Sequence, residues 1–466
     1  MNVDLYKNIF FVGIGGIGMS ALARYFNKKN KSVYGYDKTK SDLYMQLENE
    51  GIDIIYNDNA SNILKEIYQS DTKETLIIYT PAIASYNNIL QFFNDRSFDI
   101  IKRSEALGYI SKDTYTVAIA GTHGKTTTST MLAHILKASG NNPTAFLGGI
   151  SHNYKTNFLF SESSNILIVE ADEFDRSFLH LHANIAIITS IDVDHLDVYK
   201  DKNDLLLAFN QFVAQIKKNG FLLIEDSVKH EIEPNKRINI ASYSTSSICD
   251  YYSENISCNN SKMIFDMKFC KNKFINNIES SITNIELNMP GKHNVSNAMS
   301  AIIVSSYLGV DKSNIKKAIK TFNGVYRRFD IHIDNKKLVY IDDYAHHPEE
   351  VLATINTTKK MYPSRKITVV FQPHLFSRTK DFANEFSVSL RDADDLVLLD
   401  IFPARENPIE GIDSYMLLNL CTNNEKEVCP KDSLIPLLKN KKIDILLTLG
   451  AGDVSTLVQP IKHMLN

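Results

Sequence analysis

The sequence predicts an α/β protein of three domains built on mostly parallel sheets. Three observations carry this. The chain has 466 residues, too many for one comfortable core. Two stretches pass from an apolar strand run through glycines into helical spacing. A third stretch strings together four apolar runs, each followed by polar residues. The first segment opens with NIFFVGIGGIGMSALARYF, in which Met19, Leu22, Ala23 and Phe26 recur at helix spacing. SVYGYD then reads as a second parallel strand and LIIYTPAI, residues 76–83, as another ending in a proline turn. Such alternation predicts a doubly wound sheet that closes near residue 105.

The second segment begins with YTVAIAGTHGKTTTSTMLAHILKASG, again strand, tight loop and helix. ILIVEAD (166–172) and IAIITSIDVDH (185–195) are apolar runs ending in acidic or histidine side chains, placed at the carboxyl edge where parallel sheets bind ligands. Residues 245–287, rich in Asn and Ser with short alternating runs such as MIFDMKF, read as peripheral antiparallel strands or loops, and NVSNAMSAIIVSSYLG as a closing helix. A third unit starts near Gly324. Its runs KLVYIDDYAHHPEEV, KITVVFQPHLFSRT, LVLLDIFPAR and ILLTLGAGD predict a third parallel sheet.

Composition narrows the class. At 44% hydrophobic, 23% charged and a formal charge of −3, the chain is an ordinary globular protein with no call for a polyanionic partner, so nucleic acid is not expected. Cys249, Cys258, Cys270, Cys421 and Cys429 form no CxxC pair and read as reduced thiols. The amino end lacks the pattern of an export signal, and no apolar run approaches the roughly 20 residues of a membrane span. A cytoplasmic protein without stable membrane insertion is expected.

Gly13, Gly15 and Gly18 fit GxGxxG between strand and helix, with Asp37 19 residues beyond Gly18. That spacing brings backbone against a pyrophosphate at a helix start and offers Asp37 to a ribose hydroxyl. A nicotinamide or flavin dinucleotide and a nucleotide sugar both remain open. Gly121-Thr122-His123-Gly124-Lys125-Thr126 is the short GxxGKT form of a triphosphate loop, Ile119 standing where GxxxxGK[ST] has its first glycine. Lys125 would bridge the outer phosphates and Thr126 would hold magnesium.

Two acidic groups follow neighbouring strands: Glu170, Asp172, Glu173 and Asp175, then Asp192, Asp194, His195 and Asp197. One member of the first is a natural magnesium ligand, and His195 is feasible where two metals share a phosphate. In the third unit Arg327 and Arg328, if in a strand, cannot both face one way. His346 and His347 make only a weak zinc motif, without a convincing third ligand. Arg378 and Arg405 each follow a strand and suit a carboxylate or phosphate.

Taken together, GIGGIGMSALAR, GTHGKTTT, EADEFDRSF, DVDHLDVY, GKHNVSNAMSA, GVYRRF, DDYAHHPEE, FQPHLFSRT, FPARENPI and GAGD resemble, in order, the motifs of the Mur ligases of peptidoglycan synthesis, most closely the alanine-adding branch. The resemblance implies a Rossmann-like UDP-sugar-binding domain (1–106), a central P-loop ATPase domain (107–322) and a Rossmann-like carboxyl-terminal domain (323–466) that closes the site. It implies ATP and Mg2+ as cofactors, UDP-N-acetylmuramate and L-alanine as substrates, and a monomer or homodimer. In such enzymes the lactyl carboxylate is activated as an acyl phosphate and then attacked by the amino acid's amine.

Carried onto this chain, the resemblance assigns Gly121, Thr122, His123, Gly124, Lys125, Thr126 and Thr127 to the triphosphate, and Thr126, Glu170 and His195 to the metal. His293, Asn294, Asn297, Arg328 and Asp343 would face the rest of the nucleotide, and Lys125, His195 and Arg378 would serve catalysis. Gly15, Gly16, Ile17, Gly18, Asp37 and Thr80 would hold the UDP-sugar. His346, His347, Arg378 and Arg405 would attend the amino acid and the closed site. Several family members carry a carbamylated lysine after the DH motif. Here the matching region offers Phe209 and Asn210, as the alanine-adding branch does, leaving the second metal without a named organiser.

Overall fold

Five strands open the chain: β1 (Asn8–Val12), β2 (Ser32–Tyr36), β3 (Asp53–Ile55), β4 (Thr75–Tyr79) and β5 (Asp99–Lys102). They lie in the order β3-β2-β1-β4-β5, all parallel. Ile9 to Val12 are buried on both sides of the sheet, which is why NIFFV is a continuous apolar run and not an alternating one. The order reverses between β1 and β4, and the glycine loop leaves β1 at that point to enter the helix Ile17–Lys28. The fourth strand is shorter than 76–83 suggests. It ends at Tyr79, because Pro81 has no N–H to extend a ladder.

The next sheet has β6 (Tyr115–Ala120), β7 (Thr144–Phe146), β8 (Phe158–Leu159), β9 (Ile166–Glu170), β10 (Ile185–Ile188), β11 (Phe221–Glu225), β12 (Asn239–Ser244), β13 (Tyr251–Asn259), β14 (Lys262–Phe269) and β15 (Ser281–Leu287). Their order is β15-β14-β13-β12-β11-β10-β6-β9-β7-β8. β6 therefore runs between β9 and β10, parallel to both. The helix Lys125–Ala138 that follows β6 is buried over nearly its whole length and packs on the helix Lys292–Tyr307. The region expected to be peripheral and antiparallel does extend the sheet at one end, but β13 joins β12 in parallel, Tyr243 opposite Tyr251. MIFDMKF alternates as read, with Met263, Phe265, Met267 and Phe269 buried.

The last sheet comprises β16 (Asp330–Asp334), β17 (Val339–Asp343), β18 (Ile367–Phe371), β19 (Asp395–Leu399), β20 (Glu425–Cys429) and β21 (Ile445–Leu449), in the order β16-β17-β21-β18-β19-β20. The four predicted strands are its centre and are parallel. Two edge strands were not anticipated: β20, parallel to β19, and β16, antiparallel to β17 with a register shift between Ile331 and Ile333. Alternate residues feed two cores. Ile341, Val369, Leu398 and Leu447 point to one, Tyr340, Val370, Val397 and Leu446 to the other.

In this computed structural model the described residues are 3–84, 86–192, 198–233, 235–259, 262–270, 281–404 and 406–466. They form two compact units, one of Met1–Ser257, Ile264–Asn288 and Lys292–Asn323, the other of Cys258–Met263, Met289–Gly291 and Gly324–Asn466. All five cysteines carry free thiols. Among the described residues no helix is long and apolar enough to cross a membrane.

Candidate active site

The loop after β6 is bound on one side by the segment that follows β10. Thr189 donates its hydroxyl to the carbonyl of His123 (2.5 Å) and to that of Ala120 (3.2 Å). The Ser190 hydroxyl accepts from the His123 N–H (3.0 Å) and lies 2.9 Å from the Thr122 hydroxyl. The Asp192 N–H donates to that same hydroxyl (3.0 Å), and its carboxylate stands 3.7 Å from His123 Nε2. Sequence reading passed over Thr189 and Ser190. Their signal is the polar pair that interrupts the apolar run IAIITSID.

On the other side lies Asn297. Gly124 has φ +82, and a Cβ there would fall 2.4 Å from Asn297 Oδ1, so the loop needs glycine for both conformation and space. Asn297 also accepts from the Thr128 hydroxyl (3.3 Å) and approaches Asn294 (3.4 Å). Asn297 is therefore brought to the loop, with Asn294 buried one turn before it, while His293, in the first turn of the same helix, is exposed. Thr126 and Thr127 are buried in the first turn of the following helix.

The Thr126 hydroxyl donates to Glu170 at the end of β9 (3.1 Å), which also accepts from the Ser129 hydroxyl (3.0 Å) and the Gly148 N–H (2.6 Å). A hydroxyl and a carboxylate converging at a phosphate loop are the hard oxygen donors that magnesium prefers, so the donor set fits that ion. Lys125 Nζ contacts the carbonyls of Gly121 (2.6 Å) and Thr122 (3.4 Å) and both oxygens of Glu173 (2.8 Å each). Burial alone would lower the Lys125 pKa. The carboxylates of Glu173, Asp172 and Glu170 outweigh it, so the ammonium stays charged beyond its ordinary range. His195, Asp194 and Asp197 lie outside the described residues.

In the first sheet's loop the Gly15 N–H donates to Asp37 Oδ2 (2.8 Å), and Asp37 Oδ1 accepts from the Thr39 N–H (2.9 Å). Gly13 sits against Thr80, so Gly15, Gly16, Ile17, Gly18, Asp37 and Thr80 converge on one loop at the switch point. Gly18 faces Arg103: a Cβ there would fall 2.5 Å from its guanidinium. Arg103 reaches Asp172 (3.5 Å) and was not picked out from the sequence. Asn157, fully buried in the turn before β8, donates to the Ile17 carbonyl (2.6 Å) and the Ser20 hydroxyl (3.0 Å) and accepts from Arg24. This asparagine fastens the helix behind the glycine loop to the ten-stranded sheet.

In the second unit the two adjacent arginines lie in a turn and not in a strand. The left-handed φ of Arg327 (60°) lets both guanidinium groups stand over the Tyr344 ring, at 5.5 and 5.0 Å, since the alternation that would part them in a strand does not apply in a turn. Arg327 is committed to Asp342 (2.8 Å) and the Gly450 carbonyl (2.6 Å); Arg328 faces Glu350 (3.9 Å). Asp343 accepts from the N–H groups of Phe329 (3.1 Å) and Ala345 (3.0 Å) and from the Thr354 hydroxyl (3.0 Å). Burial pushes its carboxyl up to about 6, against the opposing pull of Arg328.

His346 and His347 precede the helix Pro348–Met361, and their N–H groups donate to Glu350 (3.1 and 3.4 Å). The His346 ring is 5.9 Å from that of His374, and His347 packs on Phe382 (5.0 Å). Arg378 is buried in the helix Phe376–Asp381, whose last turn leads into Phe382. Arg405 lies outside the described residues.

A phosphate loop on a central parallel strand, with a hydroxyl–carboxylate pair beside its lysine, defines a nucleotide-binding α/β protein of the P-loop class, here carrying a second glycine loop on a separate parallel sheet. Three family models match it in succession: "Mur ligase family, catalytic domain" over residues 8–115, "Mur ligase middle domain" over 119–305 and "Mur ligase, glutamate ligase domain" over 327–452. The chain belongs to the Mur ligase family. It is 44% identical over 466 residues to the UDP-N-acetylmuramate--L-alanine ligase of Flavobacterium psychrophilum, covering all of both proteins. It is 42% identical over 465 residues to that of Parabacteroides distasonis, covering 100% of this chain and 98% of the relative. The crystal structure of UDP-N-acetylmuramate-alanine ligase from Thermotoga maritima matches with a TM-score of 0.79 and 26% identity, over 98% of each chain.

Proposed function

We propose that this chain joins L-alanine to the lactyl carboxylate of UDP-N-acetylmuramate at the expense of ATP, a cytoplasmic step of peptidoglycan synthesis. The observation that carries the reading is 44% identity over the full length to an L-alanine ligase, in a chain whose Lys125, Thr126 and Glu170 converge at one phosphate loop. ATP, with Mg2+, supplies the phosphoryl group that makes the carboxylate an acyl phosphate; the alanine amine then displaces phosphate and loses a proton.

The residues divide the work. Gly121 to Thr127 cradle the outer phosphates, Lys125 neutralises their charge, and Thr126 with Glu170 and His195 holds the metal. Asn294 and Asn297 brace the loop; His293, Arg328 and Asp343 serve the nucleotide's other end. Gly15, Gly16, Ile17, Gly18, Asp37 and Thr80 seat the UDP-sugar, and His346, His347, Arg378 and Arg405 attend the amino acid. Boundaries near residues 106 and 322 separate the three domains, and the working form is a monomer or homodimer.

The test is phosphate release by the purified protein with UDP-N-acetylmuramate, Mg–ATP and either L-alanine or the tripeptide that a recycling ligase would use. Release that requires L-alanine, with 18O passing from the sugar's carboxylate into phosphate, is expected. Turnover with the tripeptide alone, or no label transfer, overturns the reading.

A further inference from the structure

Glu173 has no part in the reaction as set out above, yet it is fully buried and places both carboxylate oxygens 2.8 Å from Lys125 Nζ. The same ammonium contacts two loop carbonyls, at 2.6 and 3.4 Å. An ammonium has three protons to give, so a phosphate oxygen reaches Nζ only by replacing an acceptor already there. The carbonyls are fixed in the loop. The carboxylate hangs on rotatable bonds, and it is the group that gives way.

The backbone beneath Glu173 is pinned on every side. Tyr199 donates its hydroxyl to the Glu173 carbonyl (2.6 Å), and Asp172 faces Arg103 (3.5 Å). Asp175 pairs with Lys102 (2.9 Å) and Arg176 with Asp204 (2.6 Å), and both hold left-handed φ values of 53° and 52°. Phe178, fully buried against Phe209 and Phe212, anchors the far end. Exchange at Lys125 is therefore a side-chain rotation, not a loop movement.

We propose that Glu173 is a positioning residue that stands in for the outer phosphates of ATP, holding Lys125 over the loop before nucleotide binds and yielding it when nucleotide arrives. This rests on the ligase reading above. Without such a partner the largely buried ammonium would be left to the two loop carbonyls with no carboxylate in contact, an arrangement that folding disfavours. With it, ATP binds in competition with an internal carboxylate.

The experiment is calorimetric titration of wild type and E173Q with Mg–ATP and with AMP, in the absence of sugar and amino acid so that nothing turns over, alongside thermal melts. The expected result is on the order of tenfold tighter Mg–ATP binding by E173Q, since a charged hydrogen-bond competitor is gone, with AMP binding unchanged. Ligand-free E173Q melts lower than wild type, its gain in Tm on adding Mg–ATP is larger, and K125M/E173Q recovers the ligand-free Tm. Should E173Q fail to fold, the double variant still folds under this proposal, and its failure to fold overturns it. Mg–ATP affinity that is unchanged or weaker in E173Q, or an equal gain for AMP, also overturns it. Wild type that binds no Mg–ATP sinks the ligase reading itself, a result distinct from wild type and E173Q binding alike.

Discussion

Asp343 offers a test of the second unit's electrostatics in isolation. Its carboxyl is raised to about 6 by burial, Arg328 opposing and Glu350 adding, against about 3.9 for an unfolded aspartate. A folded-state value above the unfolded one means that the native protein binds the extra proton between the two. The stability this residue contributes is thus complete below about 3.9 and drains away as pH rises through about 6. At ~1.4 kcal/mol per pH unit the full loss is roughly 3 kcal/mol, of which about 2 kcal/mol falls between pH 4.5 and 7.5.

Asp343→Asn removes the titration while leaving one acceptor for the N–H groups of Phe329 and Ala345. The assay is hydrogen exchange of the amides in β17 and β21 at both pH values, read as the opening free energy of wild type minus variant. Groups that do not interact with Asp343 titrate alike in both proteins and cancel; Glu350, which does, is replaced by Gln in both. The wild type's margin over the variant shrinks by about 2 kcal/mol on going to pH 7.5. A margin that is constant, or widens with pH, refutes burial as the cause.

Three further outcomes are expected. Thr126→Ala, which removes the hydroxyl 3.1 Å from Glu170, lowers kcat for phosphate release about 100-fold with Tm nearly unchanged, and Thr126→Ser restores most of it; a half-active alanine variant would contradict the metal assignment. Asn157→Ala strips Arg24, Ile17 and Ser20 of a fully buried partner. It is expected to cost about 2 kcal/mol in thermal or urea unfolding and to raise KM for the UDP-sugar more than KM for ATP. His134, buried with Nε2 on the Ala318 carbonyl (3.0 Å) and Nδ1 on the Tyr154 hydroxyl (2.9 Å), has its pKa lowered by burial, partly opposed by the backbone bond. Its stabilising contribution is full above about 6.5 and lost as pH falls through the folded-state value, so melting curves from pH 8 to 5 drop further for wild type than for His134→Gln.

What the sequence disclosed follows from where each element lies. NIFFV, YTVAIA and ILLTL are central parallel strands covered on both faces, so their apolar runs announce them. EKEVC (425–429) carries three consecutive charges and is an edge strand, which hydrophobic pattern cannot flag. The same contrast holds in the site. GTHGKT dictates its loop through local geometry, and Glu170 follows from ending the adjacent strand. EADEFD offers four carboxylates, however, and which one meets Lys125 depends on the left-handed turn at Asp175 and Arg176, a feature with no residue signature. Arg103 escaped notice for a related reason, since its approach to Gly18 joins residues distant in sequence.

The borders of the third sheet bear on whether copies of this protein can join edge to edge. An open sheet presents unpaired backbone at both margins, where a neighbouring copy could add a strand. At one margin the irregular register at Ile331 and Ile333 spoils a straight template. At the other, Glu425, Lys426 and Glu427 would force any incoming copy to desolvate charge, and Lys441 already pairs with Glu427 (2.8 Å). Replacing Lys426 and Glu427 with valine should turn that margin into a seed for aggregation without touching the chemistry.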